Sequence, residues 1–457
     1  MMQAALQRNW TVMTERDLTN VIVGLGKTGL SCARYLAARG EAFAVIDSRD
    51  APPGLEELRR DFPQVPVFLG GFDVAVLARA QRLIVSPGVA LAEPAIAKAM
   101  REGAEAVGDV ELFAREAHAP VVAVTGANGK STVTTLVGEM IRDAGFAVQV
   151  GGNLGTPALD LLAVEVPDFY VLELSSFQLE TTRSLNAAAA VVLNISPDHM
   201  DRYRDVGDYA AAKKRIYRGD GVMVINGDDP AVAAMVEAGR KLVRFGLTAP
   251  GSGDFGVREH DGAKYLAKGT ELLMAAADLH ITGAHNIANV LAALALGDAM
   301  GLSMTAMLDT LRRFTGLPHR TQWVADLNGV SWYNDSKGTN VGATLAALQG
   351  MPGKVVLIAG GLGKGQDFTP LKAAVAAKAR AVVLLGQDAA AIERAVAGAA
   401  PVVRVKDMEE AVEQAAHLAR DGDAVLLSPA CASFDMFRGY DHRGEVFAAA
   451  VRRRSAC

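Results

Sequence analysis

Residues 121–132 read Val-Val-Ala-Val-Thr-Gly-Ala-Asn-Gly-Lys-Ser-Thr, a β-branched run followed by a glycine loop, a lysine and two hydroxyl side chains. The run predicts a buried strand, and the residues after the loop predict the start of a helix. Backbone amides of such a loop surround phosphates, its lysine reaches the β- and γ-phosphates, and the next hydroxyl binds Mg²⁺. Val124 stands where the P-loop pattern has its first glycine, so the loop is T-G-x-N-G-K-S-T. We expect ATP to be bound here by Gly126, Asn128, Gly129, Lys130, Ser131 and Thr132.

The sequence on both sides of this loop alternates short β-branched runs with alanine-rich stretches, which predicts parallel sheets covered by helices. Candidate strands are 21–24, 43–47, 82–86, 121–125, 169–174, 189–195, 221–225, 354–360, 381–385 and 423–427, and 251–273 predicts a hairpin insertion. The pattern restarts three times, in agreement with 457 residues at roughly 150 residues per domain. The predicted fold is α/β, with an extension over 1–18, a Rossmann-like domain over 19–110, a central P-loop ATPase-type domain with a parallel sheet over 111–316, and a Rossmann-like domain over 317–457.

Composition and charge exclude several classes of protein. Half of the residues are hydrophobic and 21% are charged, which is typical of an ordered globular chain. A net charge of −5 gives no basic footprint for nucleic acid or an anionic membrane. No apolar run of spanning length and no signal-peptide pattern is present, and three scattered cysteines suggest no disulfide framework. We expect a cytoplasmic monomer with neither nucleic acid nor membrane as a partner.

A second glycine turn lies near the start of the chain. Gly24, Gly26 and Gly29 form G-x-G-x-x-G between a predicted strand and helix, and Asp47 ends the next strand. Such glycines let backbone amides approach a phosphate, and the aspartate is placed to meet a ribose hydroxyl. The motif indicates a nucleotide-like ligand without specifying NAD. A tight turn with an unrelated aspartate would have the same sequence.

Polar side chains follow two later strands. Glu173 lies near the end of one, and Asp198, His199 and Asp201 follow another. Because parallel sheets place their sites at the carboxyl ends of strands, we expect Glu173 and His199 near the phosphate loop. Lys213 and the lysine after it lie on a predicted helix. From their chemistry alone, we would interpret them as part of a solvated basic face.

Nine motifs in order resemble the Mur ligases of peptidoglycan synthesis, and the resemblance runs from about residue 20 to the end of the chain. Besides the phosphate loop they are G-G-N-x-G at 151–155, L-E-L-S-S-F-Q at 172–178, D-H-M-D-R-Y at 198–203, A-K-x-R-I-Y at 212–217, G-x-H-N-x-x-N at 283–289, G-L-P-H-R at 316–320, N-D-S-K-x-T-N at 334–340 and S-P-A-C-A-S-F-D at 428–435. The resemblance implies an enzyme that uses ATP to add D-glutamate to UDP-N-acetylmuramoyl-L-alanine through an acyl phosphate.

The resemblance also assigns roles to residues. The UDP-substrate would be bound by Gly26, Thr28, Asp47, Ser48, Arg49 and Asn153, and adenosine by Asn289, Arg320 and Asp335. D-Glutamate would contact Lys337, Thr339, Lys364, Ser433, Phe434 and Tyr440. Ser131 and Glu173 would hold one Mg²⁺, and His199 with a CO₂-derived carbamate on Lys213 the other. The implied catalytic residues are Lys130, Asn153, Glu173, His199 and Lys213.

Three departures and three alternatives accompany these assignments. Ser48 stands where a threonine is frequent, Tyr440 where phenylalanine also occurs, and Lys214 adjoins the lysine chosen by register. An NAD-dependent oxidoreductase would use the first glycine turn but leave the phosphate loop without a role. A sister ligase, such as a folylpolyglutamate synthase or a Mur ligase for another amino acid, would share the central domain. A nucleotide-gated binding protein would need none of the proposed catalytic residues.

Overall fold

The computed structural model describes residues 19–281, 283–351 and 353–455. The extension expected over 1–18 lies outside the described residues. Three sheets follow one another along the chain, each with helices on its faces, which confirms the predicted α/β class. No helix among these residues is long and apolar enough to cross a membrane.

The N-terminal sheet has five parallel strands in the order β3-β2-β1-β4-β5. Its elements are β1 (Asn20–Val23), α1 (Lys27–Ala38), β2 (Phe43–Asp47), α2 (Leu55–Asp61), β3 (Val67–Leu69), α3 (Val74–Leu77), β4 (Arg82–Val85), α4 (Pro94–Arg101) and β5 (Glu105–Val107). Helix α5 (Asp109–Glu116) then leads into the central domain. The first glycine turn joins β1 to α1, as the sequence predicts.

The central sheet has nine strands in the order β14-β13-β12-β11-β10-β9-β6-β8-β7. Its first elements are β6 (Val121–Thr125), α6 (Lys130–Asp143), β7 (Val148–Gly152), a 3₁₀ segment (Ala158–Ala163), β8 (Phe169–Glu173), α7 (Ser176–Glu180), β9 (Ala189–Val192), α8 (Val206–Lys214), a 3₁₀ turn (Arg215–Tyr217), β10 (Val222–Asn226), α9 (Pro230–Ala233) and β11 (Leu242–Phe245). There follow β12 (Phe255–His260), β13 (Ala263–Lys268), β14 (Glu271–Ala275), a 3₁₀ turn (Ala276–Asp278), α10 (Ala284–Ala299) and α11 (Met304–Arg313). Strands β12, β13 and β14 form an antiparallel meander where the sequence predicts a hairpin.

The C-terminal sheet has six strands in the order β15-β16-β20-β17-β18-β19. All pairs are parallel except β15 with β16. The elements are β15 (Gln322–Leu327), β16 (Val330–Asn334), α12 (Val341–Gly350), β17 (Val355–Gly360), α13 (Leu371–Lys378), β18 (Ala379–Leu385), α14 (Ala389–Ala395), β19 (Val402–Arg404), α15 (Met408–Leu418), β20 (Ala424–Leu427) and α16 (Tyr440–Ser455).

All ten predicted strands are present, and one of them ends three residues earlier than predicted. The run 189–195 predicts a strand to Ile195, whereas β9 ends at Val192. After it, the Asn194 side chain accepts a hydrogen bond from the Asn128 amide and donates one to the Asn128 carbonyl. The chain therefore leaves the sheet to support the phosphate loop.

The hydrophobic cores show how the domains are joined. Along β6, Val121 and Ala123 pack on one face while Val122 and Val124 pack on the other, as the two-residue period of a strand requires. The first face belongs to a core that continues into the N-terminal domain. The C-terminal domain has separate cores on the two faces of its own sheet. Apolar packing thus unites the first two domains.

Several polar contacts join the central and C-terminal domains. Lys364 Nζ lies 3.0 Å from Asp198 Oδ1, and Arg320 Nη2 lies 2.7 Å from Ser131 Oγ. The Asn340 side chain donates to Asn128 Oδ1 at 3.2 Å. The C-terminal domain is therefore closed over the phosphate loop.

Candidate active site

The phosphate loop connects β6 to α6 with a backbone that needs glycine. Gly126 has φ +155° and Gly129 has φ +83°, both unfavourable for other residues. A Cβ on Gly129 would lie 2.3 Å from Asn289 Oδ1. No side chain caps the N-terminus of α6, so its first amides remain available to an anion.

Two lysines converge on one carbonyl oxygen of this loop. Lys130 Nζ and Lys213 Nζ each donate to the Gly126 carbonyl at 2.9 Å, and Lys130 also donates to the Ala127 carbonyl at 2.8 Å. Burial lowers the pKa of Lys130. Burial, followed by the charge of Lys130, brings the pKa of Lys213 well below its usual value. The site therefore disfavours the charged form of Lys213.

Glu173, at the end of β8, has one oxygen that the protein does not use. Its Oε1 accepts from Asn153 Nδ2 at 2.6 Å, whereas Oε2 is buried and accepts no hydrogen bond within the described chain. Burial alone would raise the pKa of Glu173, but the charges of Lys130 and Arg320 and the neighbouring hydrogen-bond donors together outweigh burial, so the pKa is lowered. A buried, ionised carboxylate with a free oxygen is suited to bind a cation.

His199 follows β9 in a left-handed backbone conformation, with φ +58°. Its amide donates to Asp198 Oδ1 at 2.9 Å, the oxygen that also contacts Lys364. Burial lowers the pKa of His199 to about 4, which keeps the imidazole neutral at pH 7. A neutral imidazole can bind a metal or accept a proton.

A cavity of about 240 Å³ opens between the phosphate loop and the C-terminal domain. Of the nine residues predicted to bind ATP, six line it: Asn128, Gly129, Thr132, Asn289, Arg320 and Asp335. Burial raises the pKa of Asp335 to about 6, and burial lowers the pKa of Arg320. Lys337, predicted to contact D-glutamate, also lines this cavity.

Sequence reasoning missed other lining residues, among them Asn226, Phe245 and His285. His285 lies within the G-x-H-N-x-x-N motif, so the motif contained a signal for it. Asn226 and Phe245 end the adjacent strands β10 and β11. Their role could have been suspected only from strand order, because neither belongs to a recognisable motif.

A second cavity, of about 680 Å³, lies between the N-terminal and central domains. All six residues predicted to bind the UDP-substrate line it: Gly26, Thr28, Asp47, Ser48, Arg49 and Asn153. Asp47 accepts hydrogen bonds from the Leu25 amide at 2.7 Å and from Arg49 Nη2 at 2.7 Å. The carboxylate therefore orients the glycine turn and Arg49. Gln178 and Ser86 also line this cavity and were not predicted.

The six residues predicted to contact D-glutamate are less concentrated. Lys337 Nζ lies 3.6 Å from the centre of the Tyr440 ring, and burial lowers the pKa of Lys337 to about 8. Lys364 reaches Asp198, whereas Phe434 is 73% exposed. Thr339 is half-buried and Ser433 is buried. The structure thus brings Lys337 and Lys364 to the phosphate loop and leaves Phe434 at the surface.

Comparison with known proteins follows this architecture. Three family models match successive parts of the chain: the MurD-like N-terminal domain over residues 18–108, the Mur ligase middle domain over 124–297, and the Mur ligase glutamate ligase domain over 319–431. The chain belongs to the Mur ligase family, as the motifs indicate.

Within that family, two curated relatives have the same name. The UDP-N-acetylmuramoylalanine--D-glutamate ligase of Nitrosococcus oceani is 58% identical over 96% of this chain and 97% of its own. The one of Pseudomonas putida is 57% identical over 95% and 97%. Among solved structures, the UDP-N-acetylmuramate-alanine ligase MurC of Thermotoga maritima has a TM-score of 0.60 and 18% identity, and covers 96% of this chain and 100% of that one. The last likeness concerns the fold alone.

Proposed function

We propose that this chain is an ATP-dependent ligase that joins D-glutamate to UDP-N-acetylmuramoyl-L-alanine in peptidoglycan precursor synthesis. The observation that carries the proposal is a hydrogen bond that links the N-terminal cavity to a carboxylate beside Lys130 of the phosphate loop. Asn153 lines the N-terminal cavity, and its amide donates to Glu173 beside the phosphate loop. A carboxylate at the end of a long substrate can therefore meet the terminal phosphate of ATP. The names of the relatives at 57–58% identity supply the substrates.

The first chemical step is attack of the substrate carboxylate on the γ-phosphate, with ADP as the leaving group. Free amides at the start of α6 and the ammonium of Lys130 would offset the charge on the phosphoryl oxygens. Lys130 now donates to carbonyls of its own loop, so its side chain would turn toward the phosphates when ATP binds. Asn153 would orient the attacking carboxylate.

The residues near the loop fit Mg²⁺ as a partner of ATP. Among the described residues, no group of three His, Cys, Asp or Glu side chains could hold a metal unaided. Mg²⁺ in nucleotide sites needs only one or two protein ligands besides phosphate oxygens and water. The free Glu173 Oε2 and the Ser131 hydroxyl would hold one ion, and His199 a second. Bound Mg²⁺ would neutralise phosphate charge and align the two oxygens of the displacement.

The surroundings of Lys213 fit a carbamate. Its amine is fully buried beside Lys130, without an acidic partner in ion-pair contact among the described residues. A lysine kept unprotonated by burial is nucleophilic enough to take up CO₂. The modification would replace a buried neutral amine with an anion near Lys130 and would provide an oxygen ligand for the second Mg²⁺.

The second step is attack of the D-glutamate amine on the acyl phosphate, with release of phosphate. Lys337, Thr339, Lys364, Ser433, Phe434 and Tyr440 would hold the amino acid. His199, neutral at pH 7, could accept a proton from the amine. Closure of the C-terminal domain would exclude water from the acyl phosphate.

Other parts of the proposal concern organisation and setting. We place the domain boundaries near residues 110 and 316. We infer a cytoplasmic monomer that has neither nucleic acid nor membrane as a partner, and whose product contributes to cell-wall synthesis, cell shape and division. An NAD-dependent oxidoreductase gains no support, because it would leave the phosphate loop, Glu173 and His199 without a role.

The decisive experiment measures ATP-dependent phosphate release with UDP-N-acetylmuramoyl-L-alanine and one of four amino acids. We expect release with D-glutamate and none above background with L-glutamate, meso-diaminopimelate or L-lysine. Release with one of the other three would preserve the mechanism and assign a sister ligase. Absence of release with all four would refute the proposal.

Lys130→Ala should reduce this release at least about 100-fold, because it removes a positive charge from the transferring phosphoryl group. Lys214→Ala is the control, since Lys214 is partly exposed and pairs with Glu237. Near-normal turnover by Lys130→Ala would contradict the proposed role of the loop.

A further inference from the structure

The turn that carries His199 is held by the residues that follow it. The positive φ of His199 is unfavourable for a non-glycine residue and persists only where the surroundings enforce it. The His199 carbonyl accepts hydrogen bonds from the amides of Arg202 at 2.9 Å and Tyr203 at 3.1 Å. The position of the imidazole therefore depends on what holds Arg202 and Tyr203.

Phe177 on α7 links these side chains. Its ring centre lies 4.7 Å from that of His199, and the Arg202 guanidinium lies 4.3 Å from it. Tyr203 stacks against Phe177 with ring centres 6.0 Å apart. Phe177 thus touches the imidazole directly and is itself covered by Arg202 and Tyr203.

Glu180, also on α7, anchors both covering residues. Its Oε2 lies 2.5 Å from Arg202 Nη2, and its Oε1 accepts from Tyr203 Oη at 2.6 Å. The side chains of Arg202 and Glu180 are only 13% and 15% exposed. Because solvent screens the pair weakly, its geometry is far more restricted than that of a surface ion pair.

The remaining end of the guanidinium reaches another domain. Arg202 Nη1 donates to the Pro87 carbonyl at 3.0 Å, and Pro87 lines the N-terminal cavity. Arg202 itself does not line that cavity. The planar guanidinium of Arg202 therefore links the wall of the N-terminal cavity, helix α7 and the His199 turn.

We propose that Arg202, anchored by Glu180, is a positioning residue that fixes His199 relative to the N-terminal cavity. It keeps the carboxyl end of the UDP-substrate in register with the phosphoryl group. This inference rests on the proposed function, because it requires both ligands to meet at the domain interface. Neither Arg202 nor Glu180 need touch a substrate.

The test compares Arg202→Ala and Arg202→Lys with Arg204→Ala in steady-state phosphate release. Arg204 is two residues away, is 85% exposed and pairs with Asp208, which makes it a matched control. Lysine keeps the charge but cannot make three directed contacts. For Arg202→Ala we expect KM for UDP-N-acetylmuramoyl-L-alanine to rise at least fivefold and kcat to fall at least tenfold, with KM for ATP within twofold. Arg202→Lys should lie between the alanine variant and the wild type.

Glu180→Gln keeps the shape of the side chain and is the second variant, in case Arg202→Ala does not fold. Glu180→Gln should also raise KM for UDP-N-acetylmuramoyl-L-alanine and lower kcat. The inference is overturned if these variants match Arg204→Ala within twofold, or if all three KM values and kcat worsen together with a lowered Tm. If the wild type releases no phosphate with any amino acid, the proposed function fails instead, and the two failures remain distinct.

Discussion

Lys213 and Lys214 are adjacent in sequence but differ in their surroundings. Lys213 is buried against the Gly126 carbonyl, and its Nζ lies 4.6 Å from the centre of the Tyr209 ring. Lys214 is partly exposed, with its ammonium 3.3 Å from Glu237. Burial lowers the pKa of Lys213, which supports the choice of this lysine that the motif register suggested.

Lys213→Arg should abolish carbamate formation and lower turnover at least about 100-fold, because arginine stays protonated and cannot take up CO₂. The measurement is the carbon NMR signal of protein incubated with ¹³C-bicarbonate, together with phosphate release. Lys214→Ala should retain both the signal and the activity. Absence of the signal from the wild type, or its persistence in Lys213→Arg, would contradict the assignment.

Asp109 should make stability depend on pH. It is fully buried between the first two domains, its Oδ2 accepts from Gln178 at 3.2 Å, and its Oδ1 has no partner in the described chain. Burial raises the pKa of Asp109 from 3.8 to about 6. Since the folded state then binds the proton more tightly than the unfolded state, stability should fall as pH rises from about 4 to about 6 and level off above.

Asp109→Asn removes this titration. We expect it to increase the free energy of unfolding at pH 8 by on the order of 2 kcal/mol and to flatten the pH dependence between 4 and 6. Urea unfolding at pH 4.5 and pH 8 measures both effects. A variant that is less stable than the wild type at pH 8 would show that the ionised carboxylate is stabilising.

At the scale of elements, two glycines with positive φ flank helix α6, one in packed surroundings and the other in open space. Gly129 precedes the helix with φ +83° and has Asn289 close by. Gly145 follows it with φ +91° and has no atom within 4 Å of a Cβ. The first glycine serves a packed functional loop, whereas the second only ends a helix.

Gly129→Ala should raise KM for ATP at least tenfold and lower the free energy of unfolding by about 2 kcal/mol, because it combines backbone strain with a clash. Gly145→Ala should cost about 1 kcal/mol and leave KM for ATP unchanged. Denaturant unfolding and initial rates at varied ATP measure these effects. Equal KM values in the two variants would mean that the Gly129 backbone does not approach the nucleotide.

Sequence patterns predicted some elements better than others. Strands buried on both faces, such as β1 and β17, were predictable because they form continuous apolar runs. Strand β7 was missed since it is only partly buried and ends in two glycines. Strand β15 was missed because it is an edge strand with exposed positions. The phosphate loop was predictable for a different reason, because phosphate binding permits few other residues at these positions.

At the scale of the whole molecule, the two domain junctions differ in kind. The first is a shared apolar core, which contains Ile22 and Leu36 of the N-terminal domain and Leu159 and Tyr170 of the central domain. The second consists of polar contacts such as Lys364 with Asp198. Polar contacts between domains can be replaced by contacts with water or ligand when the domains separate. We therefore expect the C-terminal domain to move and the first two domains to remain together.

Lys364→Met should open the ligand-free enzyme, because it removes one charge from the second junction and leaves Asp198 buried without its ammonium. Small-angle X-ray scattering should show a larger radius of gyration than for the wild type. Lys372→Met is the control, since Lys372 is exposed on the same domain. Identical scattering from the two variants would mean that other contacts hold the domain closed.

No sequence pattern predicted which residues meet at these two domain junctions. Asp198 and Lys364 each belong to a recognisable loop, but their pairing depends on how the closed domains meet. By contrast, all six residues predicted to bind the UDP-substrate line the N-terminal cavity, although other lining residues such as Ser86 and Gln178 were not predicted. The chemical roles of residues within one motif could be predicted from the sequence. The contacts between residues of different domains could be found only in the structure.

The order of strands in the central sheet has a consequence for biosynthesis. Strand β6 leaves the ribosome first, yet its neighbours in the sheet are β8 and β9, which end at Glu173 and Val192. At roughly 5–20 residues per second, translation leaves β6 without either neighbour for seconds. The nascent chain therefore exposes an apolar segment to which a chaperone can bind. The preceding domain can already have folded by that time.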